Sequence, residues 1–230
     1  MTYDDYDHIK DRDDRELRHF DWVIVNDSRM TMLRSLRDTC KDCVMCELGR
    51  NFKVVRDEKV DPHVFSTMMP SKFMVVGQNP GFNECKQDTP FVGDAGKNFD
   101  AEIAKHGLSR NDFYITNTVK CLTDNNALPS SETIKRCQTF LNMELAILAP
   151  KFIITLGAVA FGYFCSQAVY SKALGKMTHS ETIDKKVFAI YHPSPRNLSV
   201  ESRRTAFEKQ IGMLCKVVKH FNQTVQEHSK

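Results

Sequence analysis

Lys72-Phe-Met-Val-Val-Gly-Gln-Asn-Pro-Gly81 decides the fold. Four apolar residues, Phe73 to Val76, run straight into a turn marked by glycine and proline. A short apolar run closed by turn residues reads as a strand buried on both faces. The same pattern recurs at Phe113–Val119, at Lys151–Gly157 and at Val187–Tyr191, which runs into His192-Pro-Ser-Pro195. Between these runs the apolar spacing is helical. Phe99 and Ile103 stand four apart. Ile134, Cys137, Leu141, Leu145 and Leu148 recur at 3, 4, 4 and 3, with Ser130 or Ser131 placed to cap them and Pro150 to end them. Residues 158–170 also read as helical, and Phe207, Ile211, Leu214, Val218 and Phe221 mark a last helix. Strands alternating with helices imply a three-layer α/β/α fold around a central, mainly parallel four-stranded sheet.

The ends of the chain bound the rest. Residues 1–20 hold seven acids and four bases with few apolar positions, and are expected to be frayed or disordered. A helix is expected from Trp22 to about Asp38, and a loop over residues 56–71. The reading is a charged, partly helical extension over 1–38 and one domain over 39–225. With 32 basic against 29 acidic residues, net charge is only +3, so composition alone does not indicate a nucleic-acid partner. No apolar run reaches the roughly 18 residues of a membrane span. The acidic N-terminus lacks the apolar core of a secretory signal, so the expected location is the cytoplasm, or the nucleoid in a bacterium.

Two cysteine pairs stand apart: Cys43-Val-Met-Cys46, and Cys121 with Cys137, fifteen residues between them. Eight cysteines in a leaderless chain of this length suit metal ligation better than disulfides. Four thiolates suit zinc or a cubane iron–sulfur cluster. A single Cys-x-x-Cys is weak evidence, because buried free cysteines are common. Cys40 also makes one with Cys43. In a parallel sheet, ligands bind beyond the carboxyl ends of the strands. Gly77-Gln-Asn-Pro-Gly81, Asn117-Thr-Val-Lys-Cys121 and His192-Pro-Ser-Pro195 all fall there. Gly93-Asp-Ala-Gly-Lys-Asn98 is not a phosphate-binding P-loop, since it lacks the four-residue gap and the hydroxyl after lysine.

Several motifs in order carry a resemblance. They are Cys43-Val-Met-Cys-Glu-Leu-Gly-Arg50, Gly77 to Glu84, Pro90-Phe-Val-Gly-Asp-Ala-Gly96, Tyr114 to Cys121, Glu132 to Cys137, Pro150 to Gly157, and His192 to Pro195. From about Cys43 to Phe221 the chain resembles the uracil-DNA glycosylase superfamily, most of all its iron–sulfur-containing family 4 branch. The resemblance implies a glycosylase that hydrolyses the N-glycosidic bond of a flipped uracil in single- or double-stranded DNA, leaving an abasic site. It implies a [4Fe–4S] cluster, with zinc as the alternative, held by Cys43, Cys46, Cys121 and Cys137. Cys40 is then a spare, structural or exposed. It implies a monomer.

By the same resemblance Asn79 orients the water and His192 donates to uracil O2. Phe91 stacks on the base, Asn117 reads its N3 and O4 edge, backbone N–H groups around Gln78 meet O2, and Glu84 stands near C5. Ser194, Arg196 and Leu198 contact DNA, Arg196 or Leu198 as a wedge. Two departures stand out. Family 4 chains usually carry Gly-Glu-Ala-Pro-Gly where this one has Gly-Gln-Asn-Pro-Gly, and an acid usually follows Glu84 where this one has Cys85. They leave two alternatives: a glycosylase for another modified base, in defence or phage biology, or an inactive iron–sulfur protein that binds DNA.

Overall fold

The computed structural model describes residues 14–50, 53–55 and 58–227, with side chains over 27–50 and 58–222. The expectation for residues 1–13 lies outside the described residues. Residues 14–20, expected to be frayed, belong to the first helix, α1 (Asp14–Lys41).

The central sheet has five strands where four were expected. β3 (Phe73–Gly77), β4 (Tyr114–Asn117), β5 (Phe152–Leu156) and β7 (Lys185–Ile190) are the four read from sequence, and they run parallel. β6 (Met177–Ser180) adds an antiparallel edge, giving the order β4-β3-β5-β7-β6. Met-Thr-His-Ser has no apolar run because an edge strand packs little, so its pairing comes from the backbone ladder with β7. A small antiparallel pair, β1 (Lys53–Val55) and β2 (Glu58–Val60), precedes the sheet, and β2 falls inside the stretch expected to be a loop.

Each parallel strand feeds two cores, because successive side chains point to opposite faces. Met74, Val76, Ile153, Val187 and Ala189 pack with Leu33, Leu36 and Cys40 of α1. They also meet Phe140 and Leu141 of α4 (Ser131–Leu148) and Phe161 and Phe164 of α5 (Ala158–Phe164). Phe73, Val75, Ile154, Phe188 and Ile190 face the other way. There they meet Phe99 and Ile103 of α3 (Asp94–Ala104), and Phe207, Ile211, Leu214 and Val218 of α8 (Glu201–Glu227). Burying each such side chain stabilises the fold by about 1.5–3 kcal/mol. The expected three layers are thus present. The boundary expected at 38/39 falls inside α1, whose last turns are core.

α4 begins and ends where the sequence indicated, whereas α1 runs past the expected Asp38 to Lys41. Ser130 Oγ accepts from Thr133 N at 3.1 Å and caps α4, and Ala149 in the left-handed region precedes Pro150. The stretch expected as one helix over 158–170 breaks into α5 and the short α6 (Tyr170–Ala173). Two more short helices, α2 (Phe82–Gln87) and α7 (Pro195–Leu198), follow the first and last strand ends. Among the described residues no helix is long and apolar enough to cross a membrane.

Candidate active site and cysteine nest

The loops after β3, β4 and β7 converge at the carboxyl edge of the sheet. They enclose a cleft of about 910 Å3 lined by Gln78, Asn79, Glu84, Phe91, Asn117, His192, Ser194 and Arg196. Eight of the residues singled out from sequence therefore share one site. Leu198 does not line it. That side chain is partly buried against the second core and borders a neighbouring shallow groove with Lys97 and Arg204.

At the end of β4, Asn117 is 1% exposed, yet neither its Oδ1 nor its Nδ2 has a hydrogen-bond partner. Buried amides are nearly always paired, so an orphaned donor and acceptor side by side mark a place for a ligand edge. Gly77 makes room for it. A Cβ there would stand 2.4 Å from Phe91 Cζ and 2.5 Å from Asn117 Oδ1. The Phe91 ring lies 6.2 Å from the His192 ring, centroid to centroid.

Phe91 is held in the left-handed region, with φ of 55°. Such a backbone costs a β-carbon residue energy and persists only where neighbours enforce it. Arg110 does so, donating to the carbonyls of Phe91 (3.1 Å) and Pro90 (2.7 Å) while paired with Asp100 at 3.0 Å. Gly96 lets α3 close on the same turn, since a Cβ would fall 1.8 Å from the Phe91 oxygen.

The Asn79 carboxamide is fixed at both ends. Its Nδ2 donates to the Pro80 carbonyl (2.9 Å) and Thr123 Oγ1 (3.2 Å), and its Oδ1 accepts from Gln78 Nε2 at 2.8 Å. One lone pair of Oδ1 is left for a further donor. His192 sits against Gly157, which has a φ of 97° and where a Cβ would stand only 3.2 Å from the His192 Cβ. Burial holds the His192 pKa below the ordinary histidine value, with the Glu84 charge opposing. The imidazole is therefore neutral at pH 7.

Glu84 faces the backbone. Its Oε1 accepts from Val92 N (2.8 Å) and Gly93 N (2.6 Å), its Oε2 from Gly81 N (3.1 Å). A carboxylate at the start of α3 is favoured by the helix dipole. It ties the loop after β3 to the Phe91 turn.

The five cysteines Cys40, Cys43, Cys46, Cys121 and Cys137 line one small cavity with Val119 and Phe140. Cys40, expected to be a spare, is completely buried and faces the same space. Burial pushes up the thiols of Cys43, Cys137, Cys40 and Cys121, Cys137 to about 11 and Cys40 and Cys121 higher still. The Lys120 backbone N–H donates to Cys137 Sγ at 3.2 Å, the kind of contact that steadies a thiolate. Among the described residues, no group of three or more His, Cys, Asp or Glu side chains is drawn up as a metal-ligand set. The donor chemistry nonetheless fits a thiolate-bound group. Four or more sulfurs meet in an apolar pocket where free thiolates would be costly.

Sequence reading missed Arg110, Thr123 and the buried pair Lys120–Glu144. Each acts on a neighbour's backbone or side chain; Lys120 lies in the Asn117–Cys121 run but was given no role there, and the others belong to no motif that signals chemistry.

These features define a class: an α/β protein with a ligand cleft at the carboxyl edge of its parallel sheet and a cysteine nest on the flank. The chain belongs to the Uracil DNA glycosylase superfamily, whose sequence model matches residues 65–214. It is 32% identical to a Type-4 uracil-DNA glycosylase of Thermotoga maritima over 79% of this chain and 92% of that protein. It is 37% identical to one of Archaeoglobus fulgidus over 63% of this chain and 77% of that protein. A DNA polymerase of Bacillus phage SP01 is 27% identical over 54% of this chain, a stretch covering 13% of the polymerase.

Proposed function

We propose that the protein is a DNA glycosylase that hydrolyses the N-glycosidic bond of uracil in DNA and leaves an abasic site for repair. The unpaired, buried carboxamide of Asn117 beside the Phe91 ring carries this reading. A uracil edge presents an N3–H donor next to the O4 acceptor, the complement of an amide's oxygen and nitrogen. The base can reach such a pocket only by leaving the duplex stack.

As the bond breaks, negative charge grows on the base and positive charge on the sugar. His192, neutral, donates one N–H to O2, where a donor counts most if it is already in place. The backbone around Gln78 supplies a second donor. Asn79, pinned by Thr123 and Pro80, holds the water through its remaining lone pair. An amide positions a water but is a poor base, so the reaction depends on leaving-group stabilisation. Phe91 stacks on the base. Ser194 and Arg196 meet the strand. Glu84 braces the loops rather than forming a wall at C5, since the hydrogen bonds of both its oxygens go to backbone N–H groups.

Cys43, Cys46, Cys121 and Cys137 would hold a [4Fe–4S] cluster, and Cys40 would back it from the core. When bound, the cluster supplies a structural staple, because glycosidic hydrolysis needs no redox step. The working unit is residues 39–225 together with the last turns of α1.

The test is a panel of oligonucleotides carrying single uracil, thymine, hypoxanthine or 5-substituted pyrimidines, cut with hot alkali after incubation. Strand scission at uracil is expected. Scission only at another base replaces uracil with that base. No scission anywhere, with DNA still bound, leaves a binding protein.

A further inference from the structure

Leu128 is the most exposed large apolar side chain among the described residues, at 73%. A lone exposed leucine is ordinary. This one lines the cleft, together with the polar Asn83, Asp94, Asn126, Arg196, Asn197 and Arg203. The loop beneath it is built to hold it out. Asn125 and Asn126 both take left-handed backbone, with φ of 51° and 55°. Ala127 N donates to the Asp124 carbonyl at 2.9 Å. Thr123, buried, donates from Oγ1 to the Ala127 carbonyl at 2.8 Å and accepts from Asn79 Nδ2 at 3.2 Å. Pro129 follows, and Ser130 caps α4. An apolar side chain is thus fixed at the mouth of the site, one short chain of hydrogen bonds from the amide that holds the water.

We propose that Leu128 is the wedge that enters the base stack when the target nucleotide turns into the cleft; this rests on the glycosylase reading above. A flipped nucleotide leaves a base-sized apolar gap, and architectural proteins fill such gaps with branched apolar side chains. Leu198, the apolar candidate read from sequence, is packed toward the core and is not free to do so. Arg196, on the loop after β7, is left to meet phosphate or the displaced strand. Because the loop is hydrogen-bonded to Asn79, insertion of Leu128 and placement of the water are set by one rigid element.

The test compares Leu128→Ala, Leu128→Phe and Arg196→Ala with the parent protein. Single-turnover release is measured from single-stranded uracil DNA and from duplexes with uracil opposite guanine or adenine. Leu128→Ala should slow both duplexes by about tenfold or more, since unstacking costs a few kcal/mol. The adenine pair should suffer more, and single strands should change less than about twofold, having no stack to open. Leu128→Phe should restore duplex activity. In parallel, 2-aminopurine beside the target reports unstacking on binding, with a loss of signal expected in Leu128→Ala. Equal loss on single and double strands would make the loop a mere support for Asn79 and overturn the proposal. So would duplex loss confined to Arg196→Ala, or parent activity confined to single strands. If the parent releases no uracil at all, the glycosylase reading fails, and the 2-aminopurine signal alone decides whether Leu128 enters the stack.

Discussion

Lys120 Nζ lies 2.5 Å from Glu144 Oε2 in a site where both side chains are at most 1% exposed. The pair is fully furnished. Lys120 also donates to Thr116 Oγ1 and to the Asn117 carbonyl (2.9 Å). Glu144 Oε1 accepts from Tyr114 OH (2.7 Å) and Thr116 Oγ1 (2.8 Å). The network stands between the cysteine nest, through Lys120 N–H on Cys137, and the base edge, through the Asn117 backbone. Removing one partner leaves a buried charge unpaired, which typically costs about 3–5 kcal/mol. Lys120→Met and Glu144→Leu should each lower the unfolding free energy by that amount, read from urea denaturation. The double variant Lys120→Met with Glu144→Leu should recover much of the loss, because an apolar pair needs no compensation. Additive losses would show that the two charges do not depend on each other.

The cysteine nest predicts a colour. Purified without oxygen, the protein should be brown with a broad band near roughly 400 nm, as thiolate-bound clusters are. Cys43→Ala, Cys46→Ala, Cys121→Ala and Cys137→Ala should each bleach it and destabilise the fold, since metal binding is coupled to folding. Cys40→Ala should keep the colour but lose about 1 kcal/mol, because its thiol fills a completely buried site. A colourless protein carrying one zinc would replace the cluster while keeping the ligands. Bleaching by Cys40→Ala with retention in Cys43→Ala would exchange their roles.

How much of this was legible in the sequence depended on whether a residue acts through its own chemistry. Four strands were visible because Phe73–Val76 and its counterparts are buried on both faces and must be apolar. Met177–Ser180 escaped because its pairing is all backbone. Asn117 and His192 were found at strand ends, where the fold puts ligands. Arg110 was not, since its work is to grip the carbonyls of Pro90 and Phe91, and any surface arginine looks alike in sequence. Glu84 was found as a cleft residue, but the three backbone N–H groups that its two oxygens accept from come from two separate turns and carry no sequence signal. Cys40 was left by the resemblance as a spare, structural or exposed, and its complete burial on α1 decides for the structural alternative.

Asn117 should be the residue least tolerant of change. Asn117→Asp keeps the shape but removes the donor for O4, or, if protonated, misplaces it. Single-turnover uracil release should fall by about 10²-fold, the scale of losing a positioned polar contact in a closed site. Affinity for abasic DNA should hold, as no base is there to read. Unchanged uracil release would remove Asn117 from the base edge.

The Glu84 geometry makes a prediction about selectivity. Glu84→Ala strips three backbone N–H groups of their acceptor, and leaving such groups unpaired costs about 1–3 kcal/mol each where water cannot replace it. Uracil release should fall and melting should shift down together. Glu84→Gln, which retains one oxygen, should fall between. The ratio of uracil to thymine release should not move. Admission of thymine by Glu84→Ala would restore the wall at C5.

His192 sets the acid limb. Burial lowers its pKa, so the folded protein holds it neutral at a pH where the unfolded chain already binds a proton. The sign follows from linkage. The unfolded state carries more protons between the two pKa values, so stability from this group is full above the ordinary value of about 6.5 and declines as pH falls below it. Activity should behave alike. A neutral imidazole donates one N–H to the leaving base at pH 7, and the rate should stay flat through pH 6.5 before turning down at lower pH. The measurement is single-turnover release from single-stranded DNA between pH 8 and 5, beside urea midpoints for the parent and His192→Asn. The asparagine variant should be slower by about 10²-fold at pH 7.5. It should also lack the parent's loss of stability below pH 6.5. A rate that falls as pH rises, with the inflection gone in His192→Asn, would mean that His192 works as the imidazolium, and the neutral donor would have to be given up.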